Sequence, residues 1–249
     1  MEQEFQRPPG TQTIDRAAQL LTLVLEGERP RPLAELAGAA ALPKSTTSRL
    51  LGALERQGLV QQLGRRGSFE PGPVLRRFAH RGQLVELAQP HLEALSAASG
   101  ETINLAVPGP LGVEHVAQIE SRHFLGTGQW VGRRVPYHCT AVGKVLIAFG
   151  GAEPGPLEPL TPATIVDPDR LATEVARIRR NGYATAVDEL EVGLSGLAAP
   201  VFGSGGRALA ALSISGPTLR LAAEQIADIH PKLLYEAQAL GHDMGADAA

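Results

Sequence analysis

The chain has 249 residues, of which 43% are hydrophobic and 20% charged, and its formal net charge is −3. This composition is typical of a soluble globular protein with two modest domains or one large one, and it excludes a uniformly basic protein that coats nucleic acid. The single cysteine, Cys139, excludes an internal disulfide and a cysteine-based zinc site. No apolar run approaches the roughly 18 residues of a membrane span, and the polar N-terminus is unlike a signal peptide, so we expect a cytoplasmic protein with no membrane partner.

Basic residues are concentrated in one segment of the chain. Between residues 44 and 81 the sequence has eight lysines and arginines but only two glutamates. Because the whole chain is slightly acidic, this segment is a positive region within an otherwise negative protein. Such a distribution indicates a surface that faces an anionic partner.

The N-terminal region predicts two helices after a tail. Residues 1–10 are polar and end in Pro-Pro-Gly, so we expect a disordered tail. A helix is predicted from Ile14 to about Glu26, with Thr13 as its N-cap. Its apolar face at helical spacing consists of Ile14, Ala18, Leu21 and Leu25. A second, short helix is predicted from the apolar positions Leu33, Leu36, Ala37 and Ala40.

A third helix is predicted between Pro43, suited to a first helical position, and Gly58, suited to the residue just past a helix end. Its buried stripe would consist of Thr47, Leu50, Leu51 and Leu54. The opposite face is small and polar and has no carboxylate, as a helix that enters a DNA major groove requires. The candidate DNA-contacting residues on this helix are Lys44, Ser45, Thr46, Ser48, Arg49 and Gly52. Taken alone, the helix favours the alternative interpretation, an ordinary amphipathic helix with a solvent-exposed face, so its context has to decide.

The segment after this helix supports the DNA-binding interpretation. Residues Leu59–Leu63 and Ser68–Glu70 predict two strands joined by a hairpin whose tip contains Arg65 and Arg66. Three helices, a tight turn and a basic hairpin form a winged helix-turn-helix. The two arginines of this wing would contact the phosphate backbone or a minor groove.

A linker is predicted next, beginning at Pro71-Gly72-Pro73. It would contain a short helix, Val74–His80, and a longer helix that ends at Ser99-Gly100. A linker helix of this kind suits dimerisation on two DNA half-sites. The alternative is a helix that packs only on its own domain.

From Glu101 the sequence changes to short apolar runs separated by glycine and proline. The predicted strands are Thr102–Val107, Val113–Ile119, Leu209–Ser215 and Gln129–Val135. The predicted helices are Ala141–Phe149, Pro168–Asn181 and Ala222–Leu240. Antiparallel strands with segregated helices indicate an α+β domain.

Five segments resemble signatures of the IclR family of bacterial transcription regulators. They are Leu42–Leu51, Gly100–Val107, Val135–Leu146, Asp188–Val201 and Ala210–Pro217. They occur in the order found in the family, and the resemblance extends from about Thr13 to Leu240. It implies a winged helix-turn-helix over residues 11–72, linker helices over 73–99 and an effector-binding domain with a GAF-like antiparallel sheet over 100–241, followed by a tail at 242–249.

The resemblance also implies partners and an effector pocket. Members of the family bind operator DNA as dimers or dimers of dimers and respond to small organic molecules, often carboxylates or aromatic acids. The positions that match the family's pocket are Thr140, Ala141, Asp188, Glu189, Gly193, Ser195, Gly196, Ser213 and Ser215. Ser213 and Ser215 are two apart on a predicted strand, so their hydroxyls share one face. The acidic residues suit an anionic ligand only if they turn away or bridge through water.

Catalytic, metal and cofactor sites are not expected. Ser195 lacks the Gly-x-Ser-x-Gly spacing of a hydrolase nucleophile. Cys139 and His138 are adjacent, and on a strand they would point to opposite faces, so a buried structural cysteine is the preferred interpretation. We therefore predict a DNA-binding regulator controlled by an effector. The alternatives are an enzyme whose active site lies in the C-terminal domain, and an architectural DNA-binding protein without a ligand.

Overall fold

The computed structural model describes residues 11–64, 67–203 and 205–245. The chain divides into two compact units, Met1–Gly82 and Gln83–Ala249. Within the described ranges, no helix is both long and apolar enough to cross a membrane.

The N-terminal unit is a winged helix-turn-helix, as predicted. Its helices are α1 (Gln12–Leu25), α2 (Leu33–Ala39) and α3 (Lys44–Arg56). Its strands are β1 (Arg31–Pro32), β2 (Val60–Leu63) and β3 (Ser68–Pro71), arranged in the antiparallel order β1-β3-β2. The short strand β1 was not predicted, because two residues are too few to show alternation. The core residues shared by these elements are Leu20, Val24, Leu36, Ala40, Leu50, Leu51, Val60 and Phe69.

Two predicted helix starts differ from the observed ones by one or two residues. Helix α1 begins at Gln12 after Thr11, so Thr13 lies in its first turn and is not the N-cap. Helix α3 begins at Lys44, and Pro43 precedes it in an extended conformation with ψ of 142°. The carbonyl of Pro43 accepts the first helical hydrogen bond, from the backbone N–H of Thr47, so Pro43 occupies the N-cap position.

The predicted buried face of α1 is wrong for three of its four residues; the fourth, Leu21, is half-buried and packs against the core. Leu20 and Val24 are buried against the rest of the unit, whereas Ile14 and Leu25 are 69% and 48% exposed. Ala18 is exposed as well. Two apolar stripes with the same helical spacing run along α1, and only packing against the other helices selects the one that is buried.

The predicted linker is one helix and not two. Helix α4 (Pro73–Ser99) continues through Gly82, and the division between the two units falls directly after this glycine. Glycine weakens a helix without preventing it. The helix ends before Gly100, whose φ of +68° is the left-handed conformation that glycine adopts readily.

The C-terminal unit contains one antiparallel sheet of six strands in the order β6-β5-β4-β9-β8-β7. Its strands are β4 (Thr102–Gly109), β5 (Gly112–Ile119), β6 (Arg134–Val135), β7 (Ala184–Val187), β8 (Leu194–Phe202) and β9 (Ala208–Pro217). Its further helices are α5 (Ala141–Gly150), α6 (Pro168–Asn181) and α7 (Ala223–Asp243). Strands β7 and β8 were not predicted, and the run Gln129–Val135 forms a strand only at its last two residues.

Apolar residues cover both faces of this sheet. Leucines of α4 and α7, among them Leu92 and Leu233, pack on one face together with Ile103 and Leu212. On the other face, α5 and α6 pack over small residues of the strands: Ala106, Ala184, Ala198 and Ala211. Because these strand residues are small, this second face leaves space between the sheet and the start of α5.

Candidate functional site

The first candidate surface is the outward side of α3. Thr47, Leu50 and Leu51 are buried, as the predicted stripe requires. Of the predicted DNA-contacting residues, Lys44, Ser45, Ser48 and Arg49 are exposed, and Thr46 and Gly52 are half-buried. The first carboxylate on the helix is Glu55, in its last turn, where it accepts a hydrogen bond from the backbone of Gln62 at 3.1 Å. The exposed side of α3 therefore carries positive charge, and its uncharged side chains are small.

The wing contains the two paired strands that the sequence predicts. Strands β2 and β3 pair as expected, from Val60↔Pro71 to Leu63↔Ser68. Arg65 and Arg66 lie outside the described residues. Arg76, which contributes to the basic segment of the sequence, donates to Glu70 Oε1 and Gln61 Oε1, both at 2.6 Å. Arg76 is thus paired within its own unit.

The second candidate site is a pocket in the C-terminal unit with about 460 Å³ of empty space, part of it open to solvent. Six of the nine residues predicted for the effector site line it: Thr140, Ala141, Ser195, Gly196, Ser213 and Ser215. The other lining residues were not predicted: His115, Trp130, Val135, Cys139, Val142, Ala186, Leu190 and Leu194.

The floor of the pocket is formed by β8 and β9. Ser215 pairs with Gly196 across the two strands. A side-chain carbon at Gly196 would lie 3.8 Å from both the Ser215 hydroxyl and the Ala141 methyl group. The glycine therefore keeps open the space between the sheet and α5. Ser213 is 2% exposed, and its hydroxyl has no partner among the residues that the structure describes.

The roof of the pocket is the N-terminus of α5. Thr140 caps the helix, since its Oγ1 accepts from the Gly143 backbone N–H at 3.1 Å and donates to the Pro136 carbonyl at 2.8 Å. Gly143 lies so close to the preceding turn that an added side-chain carbon would be 2.2 Å from the Tyr137 carbonyl oxygen. The cap satisfies the N–H of Gly143, and the N–H groups of Ala141 and Val142 have no partner within the helix.

His115 and Trp130 line the pocket from β5 and the loop after it. Their rings are tilted at 41° with centroids 5.7 Å apart. The Trp130 indole N–H donates to Thr127 Oγ1 at 3.1 Å. Burial lowers the pKa of His115 to about 4, so its ring is neutral at pH 7. Sequence reasoning missed both residues; the one available signal was that Trp130 is the single tryptophan in the chain.

Cys139 also lines the pocket, but not from a strand. His138 and Cys139 lie in the turn before α5, so the predicted strand geometry is wrong, although the cysteine is buried as expected. Burial raises the pKa of the Cys139 thiol to about 11. The thiol is therefore protonated at neutral pH and is a poor nucleophile.

Asp188 and Gly193 do not line the pocket. Asp188 has a φ of +56°, and its Oδ1 accepts from the Gly193 backbone N–H at 2.8 Å and from Thr218 Oγ1 at 2.7 Å. Thr218 in turn accepts from the hydroxyl of Ser195 at 3.1 Å. The Asp188 carboxylate is thus bonded to its own loop and to Thr218, and it does not line the pocket.

Glu189 does not line the pocket either. Its Oε1 lies 2.6 Å from the ammonium of Lys144, a side chain of α5 that is 1% exposed. Glu174 of α6 lies 3.4 Å from the same ammonium. Burial raises the pKa of Glu189 in spite of the lysine. This buried ion pair holds the loop after β7 onto α5, next to the lining residue Leu190.

Among the described residues, no group of three or more histidine, cysteine or acidic side chains is arranged to hold a metal ion.

Comparisons with known proteins are consistent across the chain. The model of the IclR helix-turn-helix domain matches residues 13–64, and the model of the bacterial transcriptional regulator IclR C-terminal domain matches residues 77–242. The DNA-binding transcriptional repressor YiaJ of Escherichia coli is 33% identical, over 98% of this chain and 92% of that protein. The transcriptional repressor IclR of the same organism is 31% identical, over 91% and 88%.

One solved structure is an IclR homolog from Microbacterium hydrocarbonoxydans complexed with 4-hydroxybenzoate. It is 27% identical, with a TM-score of 0.60, and the match covers 94% of this chain and 100% of that one.

Proposed function

The chain belongs to the IclR family of bacterial transcriptional regulators, and from this membership we propose that it binds operator DNA through the outward face of α3. Its relatives are transcriptional repressors and not enzymes. The observation that carries the proposal is the division of α3 into a buried apolar side and an exposed side with Lys44, Ser45, Ser48 and Arg49. Arg49 is the residue that can donate two hydrogen bonds from its guanidinium to O6 and N7 of a guanine.

The wing supplies contacts that do not depend on base sequence. In this proposal Arg65 and Arg66 bind the phosphate backbone of the DNA. Thr46 and Gly52, which are half-buried, let the backbone of α3 approach the DNA closely.

We further propose that the pocket of the C-terminal unit binds a small organic acid. The N-terminus of α5 offers unpaired N–H groups and the positive end of a helix dipole to a carboxylate. The unpartnered Ser213 hydroxyl on the facing strand is an independent indication of a ligand. The complex of a relative with 4-hydroxybenzoate supports an aromatic acid in particular. Asp188, Glu189 and Gly193 shape the loop beside this ligand and do not contact it.

The proposed mechanism is a shift between two populations. In a homodimer or a dimer of dimers, effector binding would favour one relative placement of the DNA-binding domains over another and so change operator affinity. Three parts of the chain would take part in this shift: the winged domain at 11–72, the linker at 73–99 and the effector domain at 100–241. The division of the chain into two compact units within α4 supports this arrangement.

DNA recognition is tested by fluorescence anisotropy with a fragment of the protein's own promoter and a scrambled fragment. We expect Arg49→Ala to reduce discrimination between the two fragments by about 1–3 kcal/mol, because a base contact is lost. Arg180→Ala, which removes an exposed arginine from the C-terminal unit, is the matched control. Unchanged discrimination in Arg49→Ala would contradict the assignment of α3.

The effector proposal is tested by a thermal-shift screen of small carboxylates and aromatic acids. We expect at least one acid to raise the melting temperature of the wild type, because ligands that bind only the native state stabilise it. We expect Ser213→Ala/Ser215→Ala to lose this shift while it still binds promoter DNA. A shift that persists in the double variant would show that the acid binds elsewhere.

A further inference from the structure

Helices α4 and α7 are joined by a histidine that lies between two carboxylates. His91 of α4 is 9% exposed. Its Nδ1 lies 2.6 Å from Glu236 Oε2, and its Nε2 lies 3.1 Å from Asp243 Oδ2. Both acidic residues belong to α7 and are about two helical turns apart. We call His91, Glu236 and Asp243 the α4–α7 clamp.

Both contacts of the clamp are hydrogen bonds only when the imidazole carries two protons. A carboxylate has no hydrogen to donate, so each ring nitrogen has to supply one. A neutral imidazole has a single N–H, and its other nitrogen would direct a lone pair at a carboxylate oxygen. Glu236 is buried, whereas the side chain of Asp243 is 54% exposed. A neutral His91 therefore keeps its bond to Glu236 and gives up Asp243, which can bond water instead.

The charges around His91 balance only in its protonated form. Lys232 of α7 lies 2.6 Å from Glu236 Oε1. Burial acts to raise the pKa of Glu236, but hydrogen bonds from Lys232 and His91 outweigh it and lower this pKa. On α4, Glu93 is exposed and accepts from Gln89. The strands on which α7 packs, β8 and β9, contain no charged residue. Loss of the His91 proton thus leaves one negative charge in excess.

The clamp acts on the helix that connects the two units. Helix α4 begins at Pro73 in the N-terminal unit and continues to Ser99 in the C-terminal unit. Its contact with α7 otherwise consists of apolar side chains such as Leu92 and Leu233. Hydrogen bonds are more directional than apolar contacts. The clamp therefore adds a fixed point between the linker helix and the effector domain.

We propose that the α4–α7 clamp is controlled by a proton and that operator affinity responds to pH through it. Histidine side chains titrate between about pH 5 and 8. At the acidic end of this range the imidazolium bonds both carboxylates. As the pH rises, Nε2 releases its proton to solvent and the bond to Asp243 is lost, so the stabilisation by the clamp decreases. The effect on DNA rests on the proposed function of α3, whereas the clamp itself does not.

Asp243→Asn is the variant that tests the clamp. An amide can donate to the unprotonated Nε2 and accept from the protonated one, so this contact should survive at either pH. Hydrogen–deuterium exchange of the full chain at about pH 6 and pH 8, corrected for the chemical exchange rate, measures the protection of the last turn of α7. We expect protection to fall about two- to fivefold more in the wild type than in Asp243→Asn, as for an ion pair with one exposed partner.

Operator affinity is measured on the same proteins by anisotropy with the promoter fragment at both pH values. We expect the ratio of the two affinities in the wild type to differ from that in Asp243→Asn by a factor of about two to five. His91→Gln has no imidazole to protonate, so it should also lose the additional pH dependence. His242→Gln changes an exposed neighbouring histidine of α7 and should behave like the wild type.

The two measurements separate the possible outcomes. An equal pH dependence of protection in the wild type and Asp243→Asn would overturn the clamp. If protection differs between them but their DNA affinities respond equally to pH, the role of the clamp in operator binding is overturned. If the wild type binds promoter DNA at neither pH, the proposed function of α3 fails, and the exchange data still decide on the clamp.

Discussion

At the scale of single residues, polar groups in and beside the pocket differ in whether the protein itself supplies their hydrogen-bond partners. One oxygen of Asp188 accepts from Thr218 and one oxygen of Glu189 from Lys144, whereas Glu189 Oε2 has no partner among the described residues. His115 and Ser213 retain unpartnered atoms. An anionic effector is therefore compatible with an acidic loop, because the loop's own hydrogen bonds and ion pair hold its negative charges away from the pocket.

His115 gives a prediction on the pH dependence of stability. The pKa of His115 is about 4 in the folded chain, against 6.5 for an ordinary histidine side chain in water. Between these values the unfolded chain binds a proton that the folded chain does not, so stability falls as the pH drops from 6.5 towards 4. The contribution reaches at most about 1.4 kcal/mol per pH unit. We expect His115→Phe to lose less stability than the wild type over this range.

The measurement is urea denaturation at several pH values, followed through Trp130, the single tryptophan. His230→Phe is the control for the loss of a histidine outside the pocket. Parallel pH profiles for the wild type and His115→Phe would show that this imidazole is not held neutral by burial.

At the scale of elements, short-range signals position the ends of helices and strands, and packing decides their faces. Gly58 and Gly182 have φ of +68° and +80° just after α3 and α6, as their sequence positions predict. The exposed stripe of α1 with Ile14 and Leu25 was predicted to be buried. A helix end depends on a few neighbouring residues, whereas a buried face depends on elements distant in sequence.

The wing gives a prediction at this scale. Arg65→Ala/Arg66→Ala should weaken binding to promoter and scrambled DNA about equally, because phosphate contacts carry no sequence information. The dependence of the logarithm of affinity on the logarithm of salt concentration should become shallower by about 2, one for each lost phosphate contact. Anisotropy titrations at several salt concentrations measure this slope, with Arg180→Ala as the control. An unchanged slope would mean that the wing does not contact phosphates.

At the scale of the whole molecule, the proposed function requires that the pocket and the DNA-binding face affect each other. Thermodynamic linkage makes this effect reciprocal: if an acid changes DNA affinity by some factor, DNA changes the acid's affinity by the same factor. Factors of about 5 to 150 are typical. We expect two measurements to give the same factor. The first is the change in the acid's affinity, measured by calorimetry, when promoter DNA is present at saturation. The second is the change in DNA affinity when the acid is present.

The Ser213→Ala/Ser215→Ala variant is the control, since it should bind DNA with an affinity that the acid does not alter. An acid that binds the wild type and leaves DNA affinity unchanged would contradict a regulatory role for the pocket.

The sequence by itself determined the winged helix-turn-helix, the outward residues of α3, the family and six of the residues that line the pocket. These features are encoded in helical spacing, in turn residues such as Gly58 and in contiguous motifs. Only the tertiary structure decided that His115 and Trp130 line the pocket and that Asp188 and Glu189 do not. The reason is physical: His115 lies in the same pocket as residues of β9 only because β5 pairs with β4 and β4 pairs with β9. Glu189 turns away because Lys144, 45 positions earlier in the chain, is buried beside it.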